Sequence, residues 1–364
     1  MIYKLLARSS ARTLVAAVIA LAFSLILTSI VLSVSGFNPP STFQAMFEFG
    51  KDPDSIVNTI NRAATYYLSA LAVAIGFRMN MFNIGVDGQY RLAAMLAAAV
   101  GGAWALPTVL HQLVIVIVAV LVGGAWAAIA AVLKVTRGVS EVISTIMLNF
   151  IGTGVLVAYL LKPGRLAVQL GPNNIGTKLI SPSGRMPGIP YPGSDLKIYS
   201  FVLVAVLVGI GFWFMVNRTR FGFDLRATGL SQTAAVASGV DARRMVITAM
   251  VLSGAIAGLV GMPQLLGGSY TYSLDFPAGI GFTGIGIALL GRNNPIGIAF
   301  ASLMWAFLDQ SSQILDFNDI PKEIVAITQA AVILSVVIVY EVVNRVGRRI
   351  DQRHVAAQLG EAVA

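Results

Sequence analysis

The chain has 364 residues, 57% of them hydrophobic and 11% charged, and a mean hydropathy of +0.81. Soluble domains are about 45–50% apolar and about 25% charged, so a soluble globule is excluded, as is a disordered chain, which needs low hydrophobicity and high charge. The absence of cysteine excludes disulfides, thiolate metal sites and cysteine nucleophiles, and the net charge of +9 takes its meaning from where the charges lie.

A membrane helix needs about 20 apolar residues. Taken in chain order, such runs predict an all-α polytopic membrane helix bundle of about ten spans. They lie near 13–35, 64–78, 92–108, 112–133, 142–161, 198–216, 246–267, 279–291, 294–309 and 324–343, the eighth being short. Lys4, Arg8 and Arg12 precede the first run, as they would in a signal peptide. That run is too long for one, and no small-x-small cleavage site follows, so it reads as an uncleaved span. Ten spans put both termini on one side, and 17 of the 25 Lys and Arg fall on that side. By the positive-inside rule that side is the cytoplasm, and the basic balance is a topology signal, not a nucleic-acid patch. The expected organisation is a cytoplasmic N-terminus 1–12, a transmembrane domain 13–343 and a cytoplasmic tail 344–364. External loops fall at 36–63 and 163–197, and the longest internal loop at 217–245. Six prolines between Pro163 and Pro192 make the second external loop structured or irregular and exclude a span there.

Ionisable residues at bilayer depth mark proton relays and ion sites. None is expected here: Asp87 falls in the turn after the second span, Glu141 at the start of the fifth, and Glu341 at the end of the tenth. The interior polar groups are neutral, among them Ser144, Thr145, Asn149, Ser253, Gln264, Ser302 and Gln329. They suit either interhelical hydrogen bonding or a path for a neutral solute. Glu141, Thr145, Asn149 and Gly152–Thr153 share one helical face. That strip faces a subunit interface or solute path, or bonds within the subunit. Gly254-x-x-x-Gly258 predicts close helix packing. The run Gly279-x-Gly281-x-x-Gly284 matches a dinucleotide fingerprint, but in an apolar run it predicts tight packing or a broken helix. No G-x-x-x-x-G-K-[ST] phosphate loop and no H-E-x-x-H occur, and His111 and His354 leave little for a histidine metal site. The chain is therefore expected to have no catalytic residue, no metal and no bound cofactor.

In the internal loop, Ser231 is a good N-cap and Gly239 a good C-terminal stop. The helix between them is too short to be stable alone and needs something to pack on. Asp241 caps the next helix, and Arg220, Arg226, Arg243 and Arg244 surround the loop.

Thr233-Ala234-Ala235-x-x-x-Gly239 resembles the E-A-A-x-x-x-G element of ABC importer permeases, with Thr233 in place of the acidic residue. Phe82-Asn83-Ile84-Gly85-Val86-Asp87-Gly88-Gln89 resembles the F-N-I-G-x-E/D-G-Q run of nucleoside-type members of the branched-chain amino acid, sugar and nucleoside permease family. Val139–Phe150 resembles their N-E-V-I-x-T-x-M-L-N-Y segment, with Ser140 and Phe150 as departures. Ala288–Pro295 resembles their A-L-L-G-x-N-x-P turn. The resemblance covers most of 60–345. It implies a membrane permease subunit that imports a nucleoside or related neutral solute, with a sugar or vitamin as the alternative within the family. A secondary carrier or channel is the alternative in another class, and would need an ion site. The implied partners are a cytosolic ATPase that uses the ATP, a second related permease subunit or a second copy, an extracytoplasmic binding lipoprotein and membrane lipid, but no nucleic acid. The residues implied for ATPase coupling are Ser231, Thr233, Ala234, Ala235, Gly239, Arg220 and Arg226. Candidates for the path are Glu141, Thr145, Asn149, Asn83 and Gln89, and for helix packing Gly254, Gly258, Gly281 and Gly284.

Overall fold

The computed structural model describes residues 9–172, 174–318, 320–321 and 323–335, and beyond them 338–339, 342, 345 and 352. Residues 1–8, Glu341 and most of the expected 344–364 tail lie outside the described residues, and the sidedness expected of the two termini lies there with them. The chain divides into two compact units, Met1–Lys51 with Leu308–Ala364, and Asp52–Phe307.

The first unit opens with α1 (Ser9–Val34) and α2 (Pro39–Gly50). They meet at a 114° bend. Gly36 makes the bend possible, since its φ of +86° is costly for any residue with a Cβ.

In the second unit, α3 (Pro53–Arg78) is followed by α4 (Val86–Ala103) and α5 (Thr108–Arg137). The expected external loop 36–63 is thus mostly helix. Pro39 and Pro53 do not break helices but open them, at positions where the missing N–H would have had no partner. α6 (Glu141–Asn149) runs on as a π-helical stretch, Phe150–Val157, to Leu160. The stretch after α6 holds two antiparallel pairs, β1 (Ala167–Gly171) with β2 (Asn174–Thr177) and β3 (Gly188–Pro190) with β4 (Lys197–Tyr199). α7 (Phe201–Arg218), α8 (Arg220–Leu230) and the short α9 (Gln232–Ala237) lead to α10 (Ala242–Leu259). α10 continues through Met262–Gln264 into a π turn, Leu265–Ser269. α11 (Ile280–Leu290) and α12 (Pro295–Ser311) follow.

Among the described residues, four helices are by themselves long and apolar enough to cross a membrane: Thr108–Arg137, Glu141–Leu160, Phe201–Arg218 and Ala242–Ser269. The bent α1–α2 pair would make five. α5 and α10 pack along one another through small residues. A Cβ on Gly123 would lie 2.8 Å from the Gly258 nitrogen, and one on Gly254 would strike the Ala127 side chain and the Gly123 carbonyl. Such contact lets backbones approach where no hydrophobic drive separates helix from lipid.

Back in the first unit, α13 (Gln313–Phe317) and α14 (Glu323–Ser335) join α1 and α2. Leu32, Met46, Leu315, Ile320, Ile324 and Val325 form their apolar core. Thr28 donates to Thr328 at 3.2 Å inside it.

Candidate functional site

Between α10 and α11 the chain does not stay helical. Residues 270–279 run extended or turned, bounded by Tyr270 (φ +54°) and Gly279 (φ +81°). Non-helical backbone at membrane depth survives only where its polar groups are satisfied within the protein or line a wet cavity. Here the β2 region satisfies them. Thr177 N–H donates to the Tyr272 carbonyl and Ile180 N–H to that of Tyr270, both at 2.8 Å, and the Thr271 hydroxyl returns a bond to the Thr177 carbonyl at 2.7 Å. Tyr199 packs on Gly267 and Gly268, where any side chain would collide with its ring.

α11 therefore starts partway through the bundle. The Ser69 hydroxyl donates to the Ile280 carbonyl at 2.9 Å, whereas Arg78 at the end of α3 donates to Asn293 beyond α11, at 2.8 Å. Nine helical residues, about 14 Å, separate these levels. At the upper level the first turns of two helices meet. The Asp87 carboxylate, in the first turn of α4, accepts the Gly281 N–H at 3.2 Å. An anion suits the start of either helix. Gly281 is needed for the approach, since a Cβ there would lie 2.8 Å from Asp87 Cα. One turn further along α4, Tyr90 donates to the Pro277 carbonyl at 2.6 Å and Arg91 Nε to the Tyr272 hydroxyl at 3.3 Å.

The start of α4 is capped from a distance. The Asn149 carbonyl oxygen accepts the Gly88 N–H at 2.8 Å, and its amide donates to the Ile84 carbonyl at 2.7 Å. Asn83 and Gln89 exchange amide hydrogen bonds at 3.0 and 2.9 Å, and Asn83 also reaches Ser253 at 2.8 Å. Ser253 donates on to the Ala72 carbonyl at 2.6 Å. Lys134 pairs with Glu141 at 2.5 Å across the α5–α6 turn, and Thr145 donates to the Glu141 carbonyl at 2.7 Å. A separate groove of about 510 Å³ between α3, α7 and α12, lined by Tyr67, Trp213 and Phe300 among others, is almost wholly apolar and offers a polar solute little.

Residues 217–245 are more structured than a single short helix. Thr219 caps α8, accepting the Gly222 N–H at 3.1 Å, and Ser231 caps α9, accepting the Ala234 N–H at 3.3 Å. Gly239 closes α9 with φ +86°, and Asp241 accepts the Arg244 N–H at 3.1 Å to start α10. Gln232, Thr233, Ala234, Val236, Ala237 and Ser238 are exposed, but Ala235 is turned inward and only 3% exposed. Arg226 does not face outward freely: it donates to the Val216 carbonyl near the end of α7, while Arg220 is exposed. α8 sits against the α3–α4 turn. A Cβ on Gly229 would lie 2.9 Å from Met79 Cα, and a polar hollow of about 250 Å³ opens there beside Asn80, Lys134 and Ser231.

Residues 55–340 match the family described as the branched-chain amino acid transport system / permease component. The chain belongs to this permease family. It is 33% identical over 332 residues to a guanosine ABC transporter permease protein of Bacillus subtilis, covering 89% of this chain and 93% of that one. It is 30% identical over 344 residues to a nucleoside ABC transporter permease protein of Lactococcus lactis, covering 90% and 91%. A glucose ABC transporter permease protein of Haloferax volcanii is 30% identical over 297 residues, covering 78% and 76%. No solved structure gives a significant match.

In this permease the sequence-derived path residues Asn83, Gln89, Asn149, Glu141 and Thr145 form one buried region and bond to the chain's own groups. Gly254 and Gly258 meet α5, Gly281 meets Asp87, and a Cβ on Gly284 would lie 2.9 Å from Ser69 Cβ. Two expectations are corrected. Asp87 is in a helix, not a turn, and lies some 14 Å inside the Arg78 level. Arg91, just outside the expected span 92–108, is the sixth residue of α4. Sequence reading missed Ser69, Tyr90, Arg91 and Tyr272. The available signal was the i, i+4 pair Asp87 and Arg91 at the start of an apolar run.

Proposed function

We propose that this permease imports a nucleoside through the bundle, driven by a separate cytosolic ATPase docked on α8–α9 and fed by an extracytoplasmic binding lipoprotein. A second related permease subunit, or a second copy, completes the membrane part, in the plasma membrane of a bacterium. About ten spans with both termini cytoplasmic fit the charge distribution, with the extended stretch 270–279 and α11 together making the short eighth crossing. The observation that carries the reading is the end-to-end likeness to guanosine and nucleoside permeases.

The contacts support a route of transmission. α9 has a small-residue outer face and too few internal bonds to move independently of what it packs on. A push on it passes through Gly229 to the α3–α4 turn, then through the Asn83–Gln89–Ser253 bonds to α4 and α10. Asp87 carries it to the start of α11. Rigid packed elements turn such a push into a shift of whole helices. Asn83, Gln89, Glu141, Thr145 and Asn149 give the path its shape.

The test is co-purification with the subunits encoded beside it, reconstitution in proteoliposomes, and ATPase and uptake assays across nucleosides and sugars. Nucleosides should stimulate ATP hydrolysis and accumulate. Stimulation by a sugar alone would replace the nucleoside reading with the sugar one.

A further inference from the structure

Arg91 is a charged group in an unusual place. It stands twelve residues, about 18 Å, before the Ala103 end of α4. It stands one turn beyond Asp87, which is itself about 14 Å from the Arg78 level. The guanidinium is therefore near the middle of the bundle. A cation there is costly and marks a functional site. Among the described residues its one hydrogen bond is from Nε to the Tyr272 hydroxyl, at 3.3 Å. The residue is partly exposed, and among the described residues its Nη atoms make no hydrogen bond. Tyr272 stacks on Phe276, ring centroids 4.6 Å apart, and is 1% exposed, so the phenol that holds Nε is itself fixed.

The charge of Arg91 is balanced one turn away by Asp87, whose carboxylate is tied to Gly281. The pair as a whole does not demand an anionic solute. What it offers is directional: a donor fork on α4, held by Tyr272 beside the extended stretch 270–279. Such a fork matches two adjacent acceptors in one plane, as the O6 and N7 atoms of a 6-oxopurine present them, and it mismatches adenine, which places a donor amine at the same edge.

We propose that Arg91, oriented by Tyr272, is a specificity-determining contact in the path that favours neutral solutes with paired planar acceptors, 6-oxopurine nucleosides above adenosine. The inference rests on the nucleoside reading above.

It is tested in the complete reconstituted transporter by measuring uptake of guanosine, inosine, adenosine and cytidine, with nucleoside affinity of the separate binding lipoprotein measured alongside. Arg91→Lys keeps the charge and loses the fork; Arg91→Gln loses both. Both should lower the guanosine-to-adenosine uptake ratio about tenfold, the scale of one lost bidentate contact, leaving the lipoprotein affinities unchanged. Tyr272→Phe keeps the ring stack, loses the hydroxyl that aims Arg91, and should shift the ratio in the same direction by less. If neither Arg91 variant assembles, the Tyr272→Phe ratio decides. An unchanged ratio in assembled Arg91→Lys, or in Tyr272→Phe where that variant decides, overturns the proposal. A wild-type transporter that takes up no nucleoside at all would refute the nucleoside reading instead.

Discussion

The buried region around Asp87 and the surface around α9 use polar and small residues to opposite ends. In the core, Asn149, Asn83, Gln89, Ser253 and Asp87 each bond to groups of the same chain, and glycines allow backbones to touch. At α9, Ser231 and Gly239 finish a helix whose other small residues, apart from Ala235, remain exposed. The contrast teaches that a polar residue within a span is not by itself a solute contact. Where its partners are the ends of neighbouring helices, it holds the geometry through which a distant movement acts.

Substitutions that attack close packing should break the comparison most severely. Gly258→Val would drive its side chain into the Ala119 carbonyl on α5. Nearby backbone cannot retreat cheaply, and we expect loss of folded protein, read as absence of a monodisperse peak in detergent.

Asn149→Leu should come next. It strands the Gly88 N–H and the Ile84 carbonyl, each costing about 1–3 kcal/mol when buried. The expected result is a clearly lowered thermal midpoint in detergent, with weakened uptake as a consequence. An unchanged midpoint would mean that the cap on α4 contributes nothing.

The two faces of α9 sharpen the comparison. Ala235→Trp must overfill an inward site, at about 1–3 kcal/mol, and should lower stability as well as uptake. Ala234→Trp points outward. It should leave the thermal midpoint alone and abolish ATP-driven uptake, as a wedge in a partner's groove would.

The smallest effect belongs to the cap. Ser231→Ala removes the acceptor of the Ala234 N–H and should cost about 1 kcal/mol. It should reduce coupling in part, visible as a lower ratio of solute moved to ATP hydrolysed.

Much of this was legible in the sequence because hydropathy and capping are local. The long apolar runs became α5, α7 and α10, and Ser231 and Gly239 bound α9 as their chemistry requires. α8 was not legible: Arg220–Leu230 mixes charged, aromatic and glycine residues with little apolar bias, and packing against α3, α7 and α10 makes it a helix. The extended stretch 270–279 was equally hidden, since the groups that satisfy its backbone lie about 95 residues away at Thr177. The depth of Asp87 and Arg91 is hidden in the sequence for a related reason. A charge ends an apolar run in any window, whereas Gly281 and Tyr272, distant in sequence, give these charges a place inside.

The division of labour between core and surface is tested most directly by one paired measurement: thermal midpoint and ATP-driven nucleoside uptake for Asn149→Leu and Ala234→Trp in the same reconstituted complex. The account predicts a lowered midpoint for Asn149→Leu, and for Ala234→Trp an unchanged midpoint with uptake lost. A destabilised Ala234→Trp, or one that transports normally in an assembled complex, would contradict it.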